Sequence, residues 1–188
     1  MEPTEAKRRL SAIMMADVAG YSRLMGEDER ATLRTLTAHR EIFSQYVQRH
    51  DGRIVNAPGD SILAEFGSVV DAVGCAAEIQ RELAEKNAEL PANRAMLFRI
   101  GINLGDVMVR GKEIYGDDVN IAARLESLAD PGGICISRSA HDRVVGKLPL
   151  EFEYLGRSRA RRFAPIAWCP RAWPSPHGLR MTSAALFP

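Results

Sequence analysis

Two aspartates, one at the end of an apolar run and one at the tip of a predicted hairpin, constrain the fold of this chain most strongly. Asp17 follows residues 10–16, a short apolar run typical of a buried strand. Asp60 follows Pro58 and Gly59 at the turn of a predicted hairpin over residues 52–66. If the strands are neighbours, the two carboxylates form an oxygen-rich site that suits Mg²⁺ or Mn²⁺. Such sites commonly bind a nucleoside triphosphate.

The remaining pattern predicts an α+β fold, with helices on one face of a mostly antiparallel sheet. Amphipathic periodicity and capping signals predict helices over residues 23–50, 68–87 and 117–129. Apolar segments bounded by turn residues predict strands over residues 96–109, 133–137 and 152–155, with a second strand after 109 and a short helix after 137.

Composition indicates a soluble, cytoplasmic protein with no membrane span. The 188 residues are 46% hydrophobic, and no stretch reaches the roughly 20 apolar residues that cross a bilayer. The apolar run near the N-terminus is broken by Asp17 too early for a secretory signal. The three cysteines show no metal-type spacing, which favours a reducing compartment.

Charge and proline content divide the chain at residue 156. Residues 1–156, the predicted domain, carry 19 basic and 24 acidic residues, and this net negative charge argues against nucleic-acid binding. Residues 157–188 carry six arginines, no acid and half of the ten prolines, so we expect no regular elements there. This basic tail is either out-of-frame sequence or a disordered linker.

Two further features fit phosphate chemistry, although the charged residues also have ordinary explanations. Residues 18–22 lead from a strand into a helix, whose first N–H groups can bind phosphate. Asn120 and Arg124 lie one helical turn apart, where an amide and a guanidinium could hold a ribose and a phosphate. Alternatively, Asp17 merely ends a strand, Asp60 is a turn residue, and Arg124 pairs with a nearby acid on a solvated helix.

Four motifs in order make the chain resemble the class III adenylate/guanylate cyclase catalytic domain. Residues 17–22 and 58–66 are similar to the two metal-binding segments of that family. Residues 99–106 and 119–126 are similar to its central strand and catalytic helix. The resemblance covers residues 10–156 and is strongest to the alphaproteobacterial type. A diguanylate cyclase would need a different hairpin motif from Pro58-Gly-Asp-Ser61.

The resemblance implies a ferredoxin-like, palm-type core and a head-to-tail homodimer with shared sites. Asp17 and Asp60 of one protomer would bind two Mg²⁺ or Mn²⁺ ions, and Asn120 and Arg124 would come from the other. ATP would be converted to 3′,5′-cyclic AMP and pyrophosphate. The phosphates would lie against the backbone of Val18, Ala19, Gly20, Tyr21 and Ser22.

The chain departs from the family pattern at the base-selecting positions. Asn56 stands where a lysine is usual, and Glu113 stands where adenylate-specific members have an aspartate. Asn56 can bind a purine edge but lacks a charged donor. Arg161 occupies the position of a basic residue that contacts the triphosphate.

These departures leave several functions open. ATP is the first choice of substrate, with GTP as the alternative. A dimeric nucleotide-binding or regulatory module with little turnover is a rival, as is an inactive fragment of a longer protein.

Overall fold

A single mixed sheet forms the centre of the protein in the computed structural model, which describes residues 7–157 and 166–170. Within these residues the sheet has eight strands: β1 (Lys7–Val18), β2 (Arg53–Asn56), β3 (Ile62–Phe66), β4 (Phe98–Arg110), β5 (Glu113–Tyr115), β6 (Ile134–Ser137), β7 (Phe152–Arg157) and β8 (Ile166–Pro170). The α-helices are α1 (Tyr21–Glu27), α2 (Glu29–Arg49), α3 (Val69–Ala88), α4 (Asp117–Leu128) and α5 (Arg138–Val144), with a 3-10 turn at Ala92–Arg94.

The strand order is β2-β3-β1-β4-β6-β8-β7, with β5 paired to β4. All pairs are antiparallel except β4 with β6. The central strand β1 therefore lies between the hairpin strand β3 and the long strand β4. This order confirms the predicted α+β fold, and it places the end of β1 beside the β2–β3 turn.

The two faces of the sheet pack against different helices, because side chains alternate along each strand. Ala12, Met14 and Ala16 of β1 are fully buried in the main core, which α2, α3 and α5 cover. Ile13 faces the other way, into a smaller core with Ala122 of α4. The expectation that the helices lie on one face therefore holds for α2, α3 and α5 but is wrong for α4.

The predicted helix over residues 23–50 is two helices, α1 and α2, separated at Asp28. Asp28 has an extended backbone (φ −161°), and its side chain accepts a hydrogen bond from Ala31 N at 2.9 Å. Aspartate is a strong N-cap residue because its carboxylate satisfies a free N–H of the first turn. The cap therefore begins a new helix inside the amphipathic pattern.

The expectation that the basic tail contains no regular element is wrong for residues 166–170. This segment is β8, whose backbone pairs with β6 at Ile136↔Trp168 and with β7 at Tyr154↔Trp168. Isoleucine and tryptophan favour strands, and the surrounding arginines and prolines obscured this short preference. Arg157 ends β7, and the remaining tail residues, including Arg161, lie outside the described residues.

Candidate active site

Asp17 and Asp60 meet at one edge of the sheet. β1 and β3 pair at Ala16↔Ile62, so the next residue of β1 lies beside the residues that precede β3. Ser61 Oγ donates to Asp17 Oδ1 at 2.8 Å. The Asp60 carboxyl lies close enough to the Asp17 carboxyl and to the Val18 backbone N–H to interact electrostatically with both. The structure thus brings the two predicted metal ligands together.

The electrostatics of this pair fit a cation site. Burial raises the pKa of Asp60, and the negative charge of Asp17 raises it further. Two carboxylates held this close repel each other unless a proton or a cation lies between them. No group of three or more His, Cys, Asp or Glu suited to a metal is found among the described residues. The two aspartates are therefore the carboxylate ligands that this edge offers.

Sequence reasoning missed Arg99, which lies directly across from Asp17 in the β1–β4 register. Arg99 Nη2 is 3.5 Å from Asp17 Oδ2, and Arg99 Nε is 2.9 Å from Glu126 Oε1 on α4. The contact with Glu126 is an ion pair without hydrogen-bond geometry. Alternation along β4 could have placed Arg99 on the Asp17 face, because Ile100 and Ile102 fill the main core.

Glu126 is a buried acid, with 7% of its surface exposed. Burial raises its pKa, and the charge of Asp17 adds to this, whereas the Arg99 guanidinium lowers it. The Arg99 guanidinium therefore lies between two carboxylates, that of Glu126 on α4 and that of Asp17 at the end of β1. It links the position of the helix to the aspartate pair.

Residues 18–22 form the bend that leads from β1 into α1. Val18 is buried, Ala19 N donates to Leu97 O at 2.8 Å, and Gly20 adopts the left-handed conformation (φ 70°) that favours glycine. Tyr21 and Ser22 begin α1, where the first N–H groups have no intrahelical acceptor. This bend starts next to Asp17, as the phosphate-binding hypothesis requires.

The two residues at the base-selecting positions are exposed and sit on β2 and β5. Asn56 ends β2, and its Oδ1 accepts a hydrogen bond from Ala57 N at 2.8 Å. Its Nδ2 group therefore remains available as a donor toward solvent. Glu113 begins β5 and accepts a hydrogen bond from the Tyr115 hydroxyl.

Asn120 and Arg124 lie on the exposed side of α4, opposite the side that packs on the sheet. The packed side presents Ala122 and Glu126 to β4, where the helix backbone lies directly over Gly101. The amide and the guanidinium thus share one face, as their spacing predicts. They project away from the sheet that carries the aspartates of the same chain.

Comparison with known proteins identifies the family. Residues 5–161 match the family model of the adenylate and guanylate cyclase catalytic domain. The chain therefore belongs to this family and is a class III nucleotidyl cyclase domain. Among the described residues, no helix has the length and apolar character needed to cross a membrane.

Individual relatives of the chain are named as adenylate cyclases. A Rhizobium meliloti (strain 1021) protein provisionally named adenylate cyclase 3 is 47% identical over 176 residues, which cover 91% of this chain and 30% of that protein. An adenylate cyclase of Streptomyces coelicolor is 32% identical over 139 residues, covering 73% of this chain and 35% of that protein. The chain thus spans about a third of these relatives.

A solved structure agrees with the fold. The adenylate/guanylate cyclase/hydrolase from Silicibacter pomeroyi has a TM-score of 0.83 and 36% identity. The match covers 88% of this chain and 98% of that one. The similarity therefore extends over nearly the whole of a crystallised cyclase domain.

Proposed function

We propose that this domain converts ATP to 3′,5′-cyclic AMP and pyrophosphate at a site shared by two copies of the chain. The observation that carries the proposal is the meeting of Asp17 and Asp60, with Ser61 holding the Asp17 carboxylate at 2.8 Å. Family membership supports the reaction class. The name of the Rhizobium relative supports the adenylate activity.

Asp17 and Asp60 would hold two Mg²⁺ or Mn²⁺ ions. Bound ions of this kind lower the pKa of a hydroxyl and neutralise charge on phosphate. The backbone of residues 18–22 would orient the phosphate chain next to the aspartates. Arg99 would keep the Asp17 carboxylate in place from the neighbouring strand.

Asn120 and Arg124 would act on the site of the partner. Their exposed position, on the side of α4 away from the sheet, supports this arrangement. The Arg124 guanidinium would stabilise charge that develops on the α-phosphate, and Asn120 would hold the ribose. A homodimer would thus contain two sites, each built from both chains.

The donor and acceptor pattern at the base-selecting positions favours adenine. Because Ala57 N holds the Asn56 oxygen, Asn56 would offer a donor to adenine N1. Glu113 would offer an acceptor to the adenine 6-amino group. Guanine presents the opposite pattern at these positions, an N1–H donor and an O6 acceptor, so ATP is the preferred substrate.

A second function is a nucleotide-binding dimer with little turnover. The observation that favours it is Asn56 itself, because a neutral amide binds a purine more weakly than a charged lysine. This alternative predicts nucleotide binding without measurable cyclic product.

Mixing two inactive variants tests the proposed shared site. Asp17→Asn and Arg124→Ala are each expected to be nearly inactive with Mn²⁺ and ATP. When mixed they should regain about a quarter of wild-type activity, because half of the dimers carry one intact site of two. The matched control mixes Asp17→Asn with Asp60→Asn, which leaves no site intact.

The outcomes of this experiment separate the candidates. Rescue in the first mixture alone supports the shared site. An active wild type with no rescue contradicts it. An inactive wild type that still binds ATP favours the nucleotide-binding module. In a parallel assay with Mn²⁺ and GTP, cyclic GMP formed faster than cyclic AMP forms from ATP would overturn the adenine preference.

A further inference from the structure

Arg40 of α2 contacts the loop that carries Asp60, although neither the motifs nor the aspartate pair pointed to it. Its Nη2 donates to Ala57 O at 2.8 Å and also to Gly59 O. These two carbonyls lie on either side of Pro58, immediately before Asp60. One guanidinium nitrogen therefore holds both sides of the turn.

The backbone of this loop lies outside the β-ladder, and the loop reaches β1 through the side chains of Asp60 and Ser61. Residues 57–61 lie between the paired segments of β2 and β3, and the ladder is irregular between Ile54 and Asn56. The turn contains a hydrogen bond from Ser61 N to Pro58 O at 3.0 Å, and Gly59 has a positive φ of 56°. A segment of this kind needs an anchor outside the hairpin to hold one geometry.

The helix that supplies the anchor is firmly placed. α2 buries Leu36 and Phe43 in the main core on either side of Arg40, and the Phe43 ring lies 4.9 Å from the Phe98 ring. The guanidinium is thus fixed at its base and directed at two carbonyls. Arg40 Nε is buried and has no hydrogen-bond partner, so this side-chain conformation carries the desolvation penalty of an unpaired N–H.

We propose that Arg40 is a positioning residue that sets the geometry of the Asp17–Asp60 site by holding the carbonyls of Ala57 and Gly59. The inference rests on the proposed function, because it gives Arg40 a role only if the aspartates bind cations. Residues that orient metal ligands typically contribute roughly 10–100-fold to metal affinity or activity. Arg40 acts on the loop backbone and touches neither carboxylate.

The alternative is that Arg40 only stabilises the fold. In that case Arg40→Met would lower the free energy of unfolding but leave the folded protein with normal cation affinity. The two roles are distinguished by the Mn²⁺ affinity of the folded protein. The fraction that is folded must therefore be determined independently, by urea titration.

The experiment compares Arg40→Met, Arg40→Lys and the control Arg34→Met with the wild type. Arg34 lies on the same helix and is exposed. Mn²⁺ binding is measured from the electron paramagnetic resonance signal of free Mn²⁺, without nucleotide. The kcat and KM for Mn²⁺-ATP are measured separately.

We expect Arg40→Met to raise the Kd for Mn²⁺ by roughly tenfold or more and to lower kcat, while Arg34→Met matches the wild type. Arg40→Lys should lose less, because it keeps the charge but cannot present the planar donor fork. If Arg40→Met does not fold, Arg40→Lys decides: a several-fold weaker Mn²⁺ affinity supports the inference.

Folded Arg40 variants with wild-type Mn²⁺ affinity and kcat would overturn the positioning role. That failure is distinct from a failure of the proposed function. In the latter case, the wild type itself would neither bind Mn²⁺ nor form cyclic nucleotide.

Discussion

Substitution of Gly101 by alanine should displace the helix that carries Asn120 and Arg124. Gly101 lies on β4 directly under α4, with no side chain between strand and helix. A Cβ at this position would lie 2.2 Å from Ala122 O and 2.2 Å from Glu126 N. Both are backbone atoms, so no side chain can rotate to make room.

The size of the effect follows from these distances. Carbon atoms pack at about 3.5 Å or more, so α4 would have to move away by about 1 Å. Added groups in a packed core typically cost about 1–3 kcal/mol. For a protein of this size that loss lowers Tm by roughly 2–12 °C. A displacement of about 1 Å at catalytic groups can reduce the rate roughly 100-fold.

Thermal unfolding and cyclic AMP formation with Mn²⁺-ATP would be measured on Gly101→Ala and on Gly26→Ala. Gly26 is exposed in α1, and an added Cβ there meets nothing within 4 Å. The control should keep its activity and its Tm, or gain slightly in Tm because alanine favours helix. A Gly101→Ala protein with wild-type Tm and activity would refute the close packing of α4 on β4.

Two further predictions concern stability. Burial lowers the pKa of His39 from 6.5 to about 4. Between these pH values only the unfolded state binds the proton, so the free energy of unfolding should fall by up to about 3 kcal/mol as pH falls from about 6.5 to 4. Urea titrations across this pH range should show that the free energy of unfolding falls less in His39→Leu than in the wild type. An equal fall in both proteins would contradict the lowered pKa of His39. Glu65 is 3% exposed and pairs with Arg9 and Arg53. Glu65→Leu should therefore lower the free energy of unfolding by about 2 kcal/mol in the same assay. An unchanged free energy of unfolding would show that these partly exposed arginines need no partner.

The positions of Asp17 and Asp60 at the ends of strands could be predicted from strong local signals, whereas their proximity was implied by the family resemblance. The apolar run before Asp17 and the Pro58-Gly59 turn define where each strand ends. The pairing of β1 with β3 in the structure brings the two carboxylates to one edge. Asn120 and Arg124 could be placed on one face because their spacing matches the helical period.

Other features depend on contacts that local patterns do not encode. The position of α4 on the second face follows from the close approach at Gly101, which looks like an ordinary strand glycine in sequence. Arg40 and Glu126 were missed because their partners, the 57–59 loop and Arg99, are distant in sequence. Asp28 is a signal that sequence reasoning could have used, since aspartate is a strong N-cap residue, but the amphipathic pattern continues through it.

The central claim is that Asp17 and Asp60 bind cations together. The most direct measurement is a crystal structure with Mn²⁺ and a non-reactive ATP analogue, with the metal located by anomalous scattering. We predict an anomalous peak within about 2.5 Å of oxygens from both carboxylates. Anomalous density bound elsewhere, with these two side chains unliganded, would contradict the proposed active site.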